Sequence, residues 1–364
     1  MVTQLAEIDS PALIVDLDVM EANVASMTRL TGAHGIGLWP NIKGHKIPAL
    51  AWYQVRSGAA GITCQKLAEA EVMVNAGFNE VLLAVQVIGA SKVERLRRLA
   101  RRAHVVTVVD SMAGAQEISG AFARNDQSIE AFLEVDLGYR RCGVTASEAS
   151  ELARRIAHLP GLELVGVMGY EGHLYDLTGR AEVEAAARRS YEQLVGVSKD
   201  LQAVGIAATR VSVGASAGAQ VAVETPGITE IRAGSYLMND RAQIAMGSAG
   251  QAACAATVLA TVVSVPDGSR AVIDAGAKAL TATTLPDLAG YGLLVGHDEA
   301  VLDRLSDEHG MIATASPDEF QVGDRVHVIP NSHTVVFNQF AEVYAVRSGR
   351  VEAVLPVAAR GMMQ

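Results

Sequence analysis

Short apolar runs alternate with longer amphipathic stretches over the first two-thirds of the chain. The runs lie at residues 13–15, 36–39, 61–63, 81–85, 105–109, 131–135, 164–168 and 210–213. The longer stretches place apolar residues three or four positions apart, as amphipathic helices do, most clearly over residues 66–75, 91–102 and 180–204. The alternation predicts repeated βα units, and therefore a parallel sheet.

About eight parallel strands of this kind close naturally into a (β/α)₈ barrel, although an open doubly wound sheet is the alternative. We therefore expect an α/β fold with a TIM-like barrel over residues 1–250. The first strand of this region could be shared with the domain that follows. In such barrels the catalytic groups lie at the carboxyl ends of the strands.

After Ala252 the pattern changes to an alternation rich in valine and threonine. This alternation is broken by turn sequences at residues 266–268, 274–276, 322–324 and 348–350. Residues 251–364 are therefore expected to form a second, antiparallel β domain.

Composition narrows the class of partner. The formal net charge of −10 disfavours nucleic acid and anionic membranes, because both require a basic face. The chain has no apolar run of about 18 residues, so no membrane span is predicted. The start of the chain does not have the pattern of a secretory signal. The three cysteines (Cys64, Cys142 and Cys254) have no paired spacing, so neither a disulfide framework nor a zinc knuckle is indicated. These features predict a cytoplasmic protein with a small-molecule substrate.

Lys43 follows the second predicted strand, which places it at the mouth of the predicted barrel. A lysine at such a position can lose its proton through burial or a cationic neighbour, and its amine can then form a Schiff base. On this segment alone, a solvated surface lysine is the simpler interpretation.

Two turns rich in small residues follow late strands of the predicted barrel. Backbone N–H groups in such turns can approach a phosphate closely, and phosphate sites recur in this part of barrels. The predicted phosphate-binding residues are Gly214, Ala215, Ser216, Gly234, Ser235 and Tyr236.

Six motifs in order over the full length resemble one known family. They lie at residues 40–46, 61–71, 134–143, 169–173, 229–236 and 308–310. The chain resembles the D-threonine aldolase and D-serine dehydratase family of fold-type III pyridoxal-phosphate enzymes, which are distant relatives of alanine racemase. This resemblance implies pyridoxal 5'-phosphate as the cofactor, an amino acid as the substrate and a homodimer as the assembly.

The resemblance also assigns roles to three residues. Lys43 would be the Schiff-base lysine, Arg141 would contact the ring side of the cofactor, and Tyr170 would lie over or beside the ring. A cation near the cofactor ring tunes its capacity to stabilise a carbanion. The alternatives are a surface salt bridge for Arg141 and simple packing for Tyr170.

The sequence departs from the family at the divalent-metal site. The family carries a His-x-Cys or His-x-Asp pair there, whereas Ser332 and Thr334 occupy the corresponding positions. Neutral hydroxyls bind Zn²⁺ or Mn²⁺ poorly, so the need for a divalent metal such as Mn²⁺, Zn²⁺ or Mg²⁺ is left open.

His333, between these two positions, is a candidate catalytic base in place of a metal. It could instead bind a metal with partners distant in sequence, such as Asp240, Glu308 or His309. An ordinary hydrogen-bonded histidine is the third interpretation.

The resulting prediction is a lyase of D-configured 3-hydroxy-α-amino acids, with retro-aldol cleavage to glycine and an aldehyde ahead of dehydration. The first alternative is a metal-independent racemase or epimerase, with Lys43 on one face of the α-carbon and Tyr170 or His333 on the other. A non-catalytic pyridoxal-phosphate carrier is a further alternative, against which the second domain argues.

Overall fold

The computed structural model describes residues 4–266, 270–316 and 318–364. The strands are β1 (Ala12–Asp16), β2 (Gly37–Leu38), β3 (Ile62–Cys64), β4 (Glu80–Leu83), β5 (His104–Val109), β6 (Ile129–Val135), β7 (Leu162–Gly169), β8 (Arg210–Val213), β9 (Glu230–Ile231), β10 (Ala256–Ser264), β11 (Arg270–Ile273), β12 (Gly292–Leu294), β13 (Val301–Leu305), β14 (Gly310–Ala313), β15 (Arg325–Pro330), β16 (Glu342–Arg347) and β17 (Arg350–Pro356). The helices are α1 (Leu17–Ala33), α2 (Pro48–Arg56), α3 (Leu67–Asn75), α4 (Ala90–Leu99), α5 (Met112–Ala123), α6 (Ala146–Ile156), α7 (Arg180–Ala203), α8 (Ala219–Glu224), α9 (Arg241–Ala245), α10 (Ala277–Leu280) and α11 (His333–Phe337).

The described residues divide into two compact units. The barrel unit consists of Ser26–Lys43, Leu50–Gly234 and Gly361–Gln364. The β unit consists of the residues up to Ala25, Gly44–Ala49 and Ser235–Arg360. The boundary expected at residue 250 therefore falls inside the β unit.

The barrel unit is built on a parallel sheet of eight strands in the order β2-β9-β8-β7-β6-β5-β4-β3. The two ends of this series meet, because Asn41 and Thr63 form a parallel bridge. The Thr63 N–H also donates to the Pro40 carbonyl at 2.8 Å, and the Ala60 N–H donates to the Leu38 carbonyl at 2.8 Å. The sheet is thus closed, and the predicted barrel is confirmed.

Alternate residues of the strands fill the centre of the barrel. Trp39, Leu82, Val106, Phe132 and Met168 belong to one buried cluster. This spacing follows from the two-residue period of a strand, which sends every second side chain inward. Because apolar side chains fill the centre of the barrel, its polar groups lie at the ends of the strands.

The first predicted strand does not belong to the barrel, in agreement with the possibility that it is shared with the second domain. The apolar run at residues 13–15 forms β1, but β1 pairs antiparallel with β10 and parallel with β16 in the sheet of the β unit. The eighth barrel strand is β9, which pairs with β2 and β8. The sequence did not reveal β9 because its one apolar residue, Ile231, lies between Glu230 and Arg232, so no apolar run marks the strand.

The β unit contains the predicted antiparallel sheet, in the order β13-β14-β11-β10-β1-β16-β17, with β15 pairing with β10 and β12. Its pairings are antiparallel except for that of β1 with β16. The turn predicted at residues 266–268 lies partly outside the described residues. Among the helices of the described ranges, none has the length and apolar character needed to cross a bilayer.

Candidate active site

Lys43 lies in a 3₁₀ turn, Ile42–Gly44, that follows β2 at its carboxyl end. The turn is held by a hydrogen bond from the Lys43 N–H to Asn41 Oδ1 at 3.2 Å. The Lys43 Nζ lies 5.5 Å from the centroid of the Tyr170 ring, which follows β7. The predicted position of Lys43 at the mouth of the barrel is therefore what the structure shows.

The surroundings of Lys43 favour its neutral amine. Burial lowers the pKa of Lys43, and the positive charges of Arg141 and Arg232 lower that pKa further, against an opposing effect from Glu69. Burial and like charge both disfavour the protonated form of an amine. A lysine in this state is a competent nucleophile for an aldehyde.

Arg141 lies between two tyrosine rings. Its Cζ is 5.0 Å from the centroid of Tyr170 and 5.4 Å from that of Tyr139. The two rings meet edge to face, with centroids 5.8 Å apart at 80°. A guanidinium is attracted to the faces of aromatic rings, so this arrangement holds the charge of Arg141 near Lys43. Burial raises the pKa of Tyr170 well above its ordinary value, so its hydroxyl keeps its proton near neutral pH.

The loop that carries Arg141 is tightly built. Asp136 Oδ1 accepts the N–H groups of Gly138 and Arg140, at 2.9 and 3.0 Å. At its end Gly143 has a φ of +103°, and a Cβ there would lie 2.5 Å from the backbone nitrogen of Asp136. The loop therefore needs glycine at position 143, and it fixes the direction in which Arg141 leaves the strand.

Arg232 is a buried cation that the sequence analysis did not assign. Its guanidinium donates to Ser212 Oγ at 2.6 Å and to the Gly169 carbonyl at 2.7 Å. Burial lowers the pKa of Arg232, and the carboxylates of Glu171, Glu230 and Glu134 counteract this. An arginine directly after Glu-Ile and before Ala-Gly-Ser, within the motif at residues 229–236, was the signal in the sequence.

Glu171 organises the first predicted phosphate turn. Its fully buried carboxylate accepts the Tyr191 hydroxyl at 2.7 Å, the Gly214 N–H at 3.2 Å and the Ala215 N–H at 2.6 Å. Two predicted phosphate donors are thus bonded to a protein carboxylate. The Gly234 N–H, by contrast, makes no hydrogen bond within the described residues. Ser216 follows Ala215 in the barrel unit, whereas Ser235 and Tyr236 begin the β unit.

The two glycine-rich turns approach Tyr170 and the segment before Lys43. A Cβ on Gly214 would lie 2.6 Å from the Tyr170 ring, and one on Gly234 would lie 2.7 Å from the Asn41 carbonyl oxygen. Both contacts are closer than any real side chain tolerates, so both positions need glycine. The structure therefore brings the predicted Lys43, Tyr170, Gly214 and Gly234 to one end of the barrel.

His173 is a second residue without an assigned role in the sequence analysis, although it belongs to the motif at residues 169–173. It lies in the 3₁₀ turn Gly172–Asp176 after β7. Its Nδ1 is buried without a hydrogen-bond partner among the described residues. A Cβ on Gly138 would lie 3.9 Å from this nitrogen. The imidazole thus packs against the loop that carries Arg141.

His333 lies in the β unit and is paired with Asp240. The His333 Nδ1 lies 2.7 Å from Asp240 Oδ2, which also accepts the His333 N–H at 3.1 Å. The side chain is 1% exposed, and its Nε2 has no hydrogen-bond partner among the described residues. A Cβ on Gly44 would lie 2.9 Å from this Nε2. The catalytic role of His333 stays a prediction.

Ser332 and Thr334 do not form part of a recognisable metal site. Within the described ranges, no group of three or more histidine, cysteine, aspartate or glutamate side chains is arranged to hold a metal ion. Glu308, one suggested partner of His333, pairs with Lys278. Asp240, the other acidic candidate, does contact His333, but as a hydrogen-bond acceptor.

Two domain families match the chain. The alanine racemase N-terminal domain matches residues 15–242, and the serine dehydratase domain matches residues 255–346. The sequence is 31% identical to a D-threonine aldolase from Arthrobacter sp., over 98% of this chain and 94% of the relative.

Two solved structures are similar over almost their whole length. The crystal structure of a D-threonine aldolase from Filomicrobium marinum has a TM-score of 0.92 and 30% identity, with 100% of this chain and 99% of the other covered. The D-threo-3-hydroxyaspartate dehydratase from Delftia sp. HT23 has a TM-score of 0.91 and 30% identity, with 97% and 98% covered. The similarity therefore includes both units.

Proposed function

Since the chain belongs to the family that joins an alanine racemase-type N-terminal domain to a serine dehydratase-type domain, we propose that it is a pyridoxal-phosphate-dependent lyase of D-configured 3-hydroxy-α-amino acids. Retro-aldol cleavage to glycine and an aldehyde is the favoured reaction. The observation that carries the proposal is the Lys43 amine, held at the carboxyl end of a barrel strand beside two arginines that lower its pKa. The aldolase relatives, similar over their full length, support the choice of reaction.

The residues at this end of the barrel suit pyridoxal phosphate. Lys43 would bind its aldehyde, and Arg141 and Arg232 would supply positive charge around its ring. The Gly234 N–H, which has no hydrogen-bond partner among the described residues, is one donor for the phosphate, with Ser216, Ser235 and Tyr236 as the other predicted contacts. When bound, the cofactor supplies the electron sink that stabilises negative charge at the substrate α-carbon.

Cleavage also requires a base that takes the proton from the β-hydroxyl of the substrate. Tyr170 is unsuited to accept a proton near neutral pH, since burial raises its pKa well above the ordinary value. His173 is better suited, because its buried Nδ1 has no partner among the described residues and a neutral imidazole nitrogen can accept a proton. We assign the proton transfer to His173 and retain His333 as the alternative from the sequence.

Replacing His173 with asparagine is expected to lower kcat by about 10²- to 10⁴-fold, the usual contribution of a general base. Cofactor binding should be preserved, because His173 is not among the groups proposed to hold it. Steady-state kinetics with D-phenylserine measures the effect, and the exposed His158 offers a matched asparagine control. If the H173N protein had an unchanged kcat, His333 would be the better candidate for the base that takes the β-hydroxyl proton.

A divalent metal does not fit the residues that replace the family's ligand pair. Ser332 and Thr334 offer neutral hydroxyls, and the His333 Nδ1 is committed to Asp240. We therefore derive no step through a metal.

The decisive experiment is turnover of D-threonine and D-phenylserine, with aldehyde, keto acid and chirality assayed together, before and after EDTA treatment. We expect aldehyde and glycine, at a rate that EDTA changes less than about twofold, because a protein base replaces the metal. Aldehyde that disappears with EDTA and returns with Mn²⁺ would show that a metal site exists despite the missing ligand pair.

Two other outcomes correspond to alternative functions. Keto acid in place of aldehyde would mean dehydration, which the similarity to the Delftia dehydratase favours as second candidate. Inversion without cleavage would mean a racemase or epimerase, with Lys43 on one face of the α-carbon and Tyr170, as a proton donor, or His333 on the other. The homodimer and the cytoplasmic location stay predictions from the resemblance and the sequence.

A further inference from the structure

The Arg141 loop (residues 136–143) follows β6 and is closed by hydrogen bonds at its own ends. The Asp136 N–H donates to the Val144 carbonyl at 2.9 Å, and the Val144 N–H donates to the Glu134 carbonyl at 2.9 Å. Asp136 Oδ1 accepts two further N–H groups inside the loop. These bonds fix the shape of the loop, but they all lie within β6 and the loop, so they do not attach it to a neighbouring strand.

Asp110 makes that attachment. It directly follows β5, which lies beside β6 in the barrel, and its Oδ2 accepts the Gly143 N–H at 3.1 Å. Gly143 is the second residue after Arg141. Among the described residues, this is the one hydrogen bond that joins the Arg141 loop to a residue following another barrel strand. The place of the loop relative to the barrel therefore depends on Asp110.

The Asp110 carboxylate is itself held in place. Gln86, which follows β4, donates its Nε2 to the same Asp110 Oδ2 at 3.1 Å and also to Glu134 Oε2. A chain of polar contacts thus runs from the end of β4 through Asp110 to the loop after β6. Hydrogen bonds to an ionised acceptor are stronger than those between neutral groups, so the bond to Gly143 is well suited to anchor the loop.

Arg141 and Lys43 contact the same aromatic ring. The Lys43 Nζ lies 5.5 Å from the centroid of Tyr170, and the Arg141 Cζ lies 5.0 Å from it. The distance between the two cations therefore depends on where the Arg141 loop lies. Burial lowers the pKa of Lys43, and the charge of Arg141 lowers that pKa further. The other charges that act on this amine, those of Glu69 and Arg232, are not carried by the loop.

We propose that Asp110 is a positioning residue, which fixes the Arg141 loop to the barrel through the Gly143 N–H and so keeps the Arg141 guanidinium beside the Lys43 amine. The inference rests on Lys43 being the reactive amine of the proposed function. Asp110 acts through Gly143, and no contact with the substrate or the cofactor is assigned to it.

The test is the pH dependence of Lys43 acylation in the cofactor-free full-length protein, with labelling measured by peptide mass spectrometry. In Asp110→Ala the Gly143 N–H loses its acceptor, and the Arg141 charge moves away from Lys43. Protonated Lys43 is then less disfavoured, so the midpoint of the profile moves toward alkaline pH. We expect a shift of about half a pH unit, which means about threefold slower labelling at a pH below the wild-type midpoint.

Asp110→Asn separates position from charge. Asparagine keeps an oxygen that can accept the Gly143 N–H, but it removes a negative charge, and this loss by itself disfavours protonated Lys43. The Asp110→Asn midpoint should therefore equal that of wild type or lie on its acid side, opposite to Asp110→Ala. Asp200, an exposed residue on α7, offers the matched alanine control, which should leave the profile unchanged.

A double-mutant cycle shows whether Asp110 acts through Arg141. Arg141→Met should move the midpoint toward alkaline pH by at least as much as Asp110→Ala does. In the Arg141→Met background, Asp110→Ala should cause no further alkaline shift, because the charge that Asp110 positions is absent. If Asp110→Ala only loosened the barrel mouth, its shift would be the same in both backgrounds.

Three results would overturn the proposal: an unchanged profile in folded Asp110→Ala protein, an equal alkaline shift in Asp110→Asn, or an equal shift with and without Arg141. If Asp110→Ala does not fold, as judged by circular dichroism, Asp110→Ser takes its place, because a serine hydroxyl is too short to reach Gly143. Labelling reports on Lys43 whether or not the protein cleaves any amino acid. A failure of the lyase assay and a failure of this inference are therefore distinguishable.

Discussion

Replacing Lys43 with alanine is expected to abolish covalent cofactor binding and to lower turnover by about 10³-fold or more, because the amine is both the attachment point and a proton carrier. The structure supports this expectation through the lowered pKa of Lys43 and its position beside Tyr170 and Arg141. Absorbance of the purified protein and the rate of aldehyde release from D-phenylserine measure the two effects.

Lys46 provides the matched control, since it lies three residues further along the same segment. Its Nζ donates to Asn338 Oδ1 at 2.8 Å, a bond that glutamine can also form. The Lys46→Gln protein should keep the cofactor and most of its activity. Covalent cofactor retained by Lys43→Ala, or full turnover in that variant, would refute the assignment of Lys43.

Replacing Glu171 with alanine is expected to destabilise the protein by about 3 to 5 kcal/mol, the usual result of breaking a buried charged network. The change leaves three buried donors without their acceptor, namely the Tyr191 hydroxyl and the N–H groups of Gly214 and Ala215. Urea titration of the free energy of unfolding measures the loss. Cofactor affinity should fall as well, because the turn at Gly214 packs against Tyr170.

Glu163 lies on β7, the strand that precedes Glu171, but is exposed to solvent. Its replacement by alanine should change the free energy of unfolding by no more than about 0.5 kcal/mol, as is usual for surface substitutions. If Glu171→Ala were as stable as Glu163→Ala, the hydrogen bonds to Glu171 would contribute little, and the phosphate turn would be held by other contacts.

The barrel could be predicted because most of its strands coincide with apolar runs and its helices are long enough to show their period. The helices predicted at residues 66–75 and 180–204 correspond to α3 and α7 within two residues at each end. β9 could not be found in this way, since Ile231 lies between Glu230 and Arg232 and no apolar run marks the strand. The sequence left open the sheet to which β1 belongs, because an apolar run specifies a strand but not its partners.

The candidate site was predictable where a residue type is informative by itself. A lysine after a strand and glycine-rich turns at later strand ends pointed to one end of the barrel, and the structure places Lys43, Gly214 and Gly234 there. Arg232 and Glu171 were not assigned roles, because their roles depend on burial and on partners far away in sequence. Glu171 is the clearest case, since nothing near it in sequence indicates that it accepts hydrogen bonds from the turn that follows β8.

The pairing of β1 with β10 and β16 has a consequence for the order in which the protein folds during its synthesis. β16 begins about 330 residues after β1, and at about 5 to 20 residues per second a ribosome needs roughly 15 to 65 s to make that length. A hairpin closes within microseconds, so all eight barrel strands can pair long before β1 meets β16. During this time the Ala12–Asp16 segment of the nascent chain has no parallel neighbour. If the ribosome stalls before β16 is made, that edge of β1 stays unpaired and can pair with other chains.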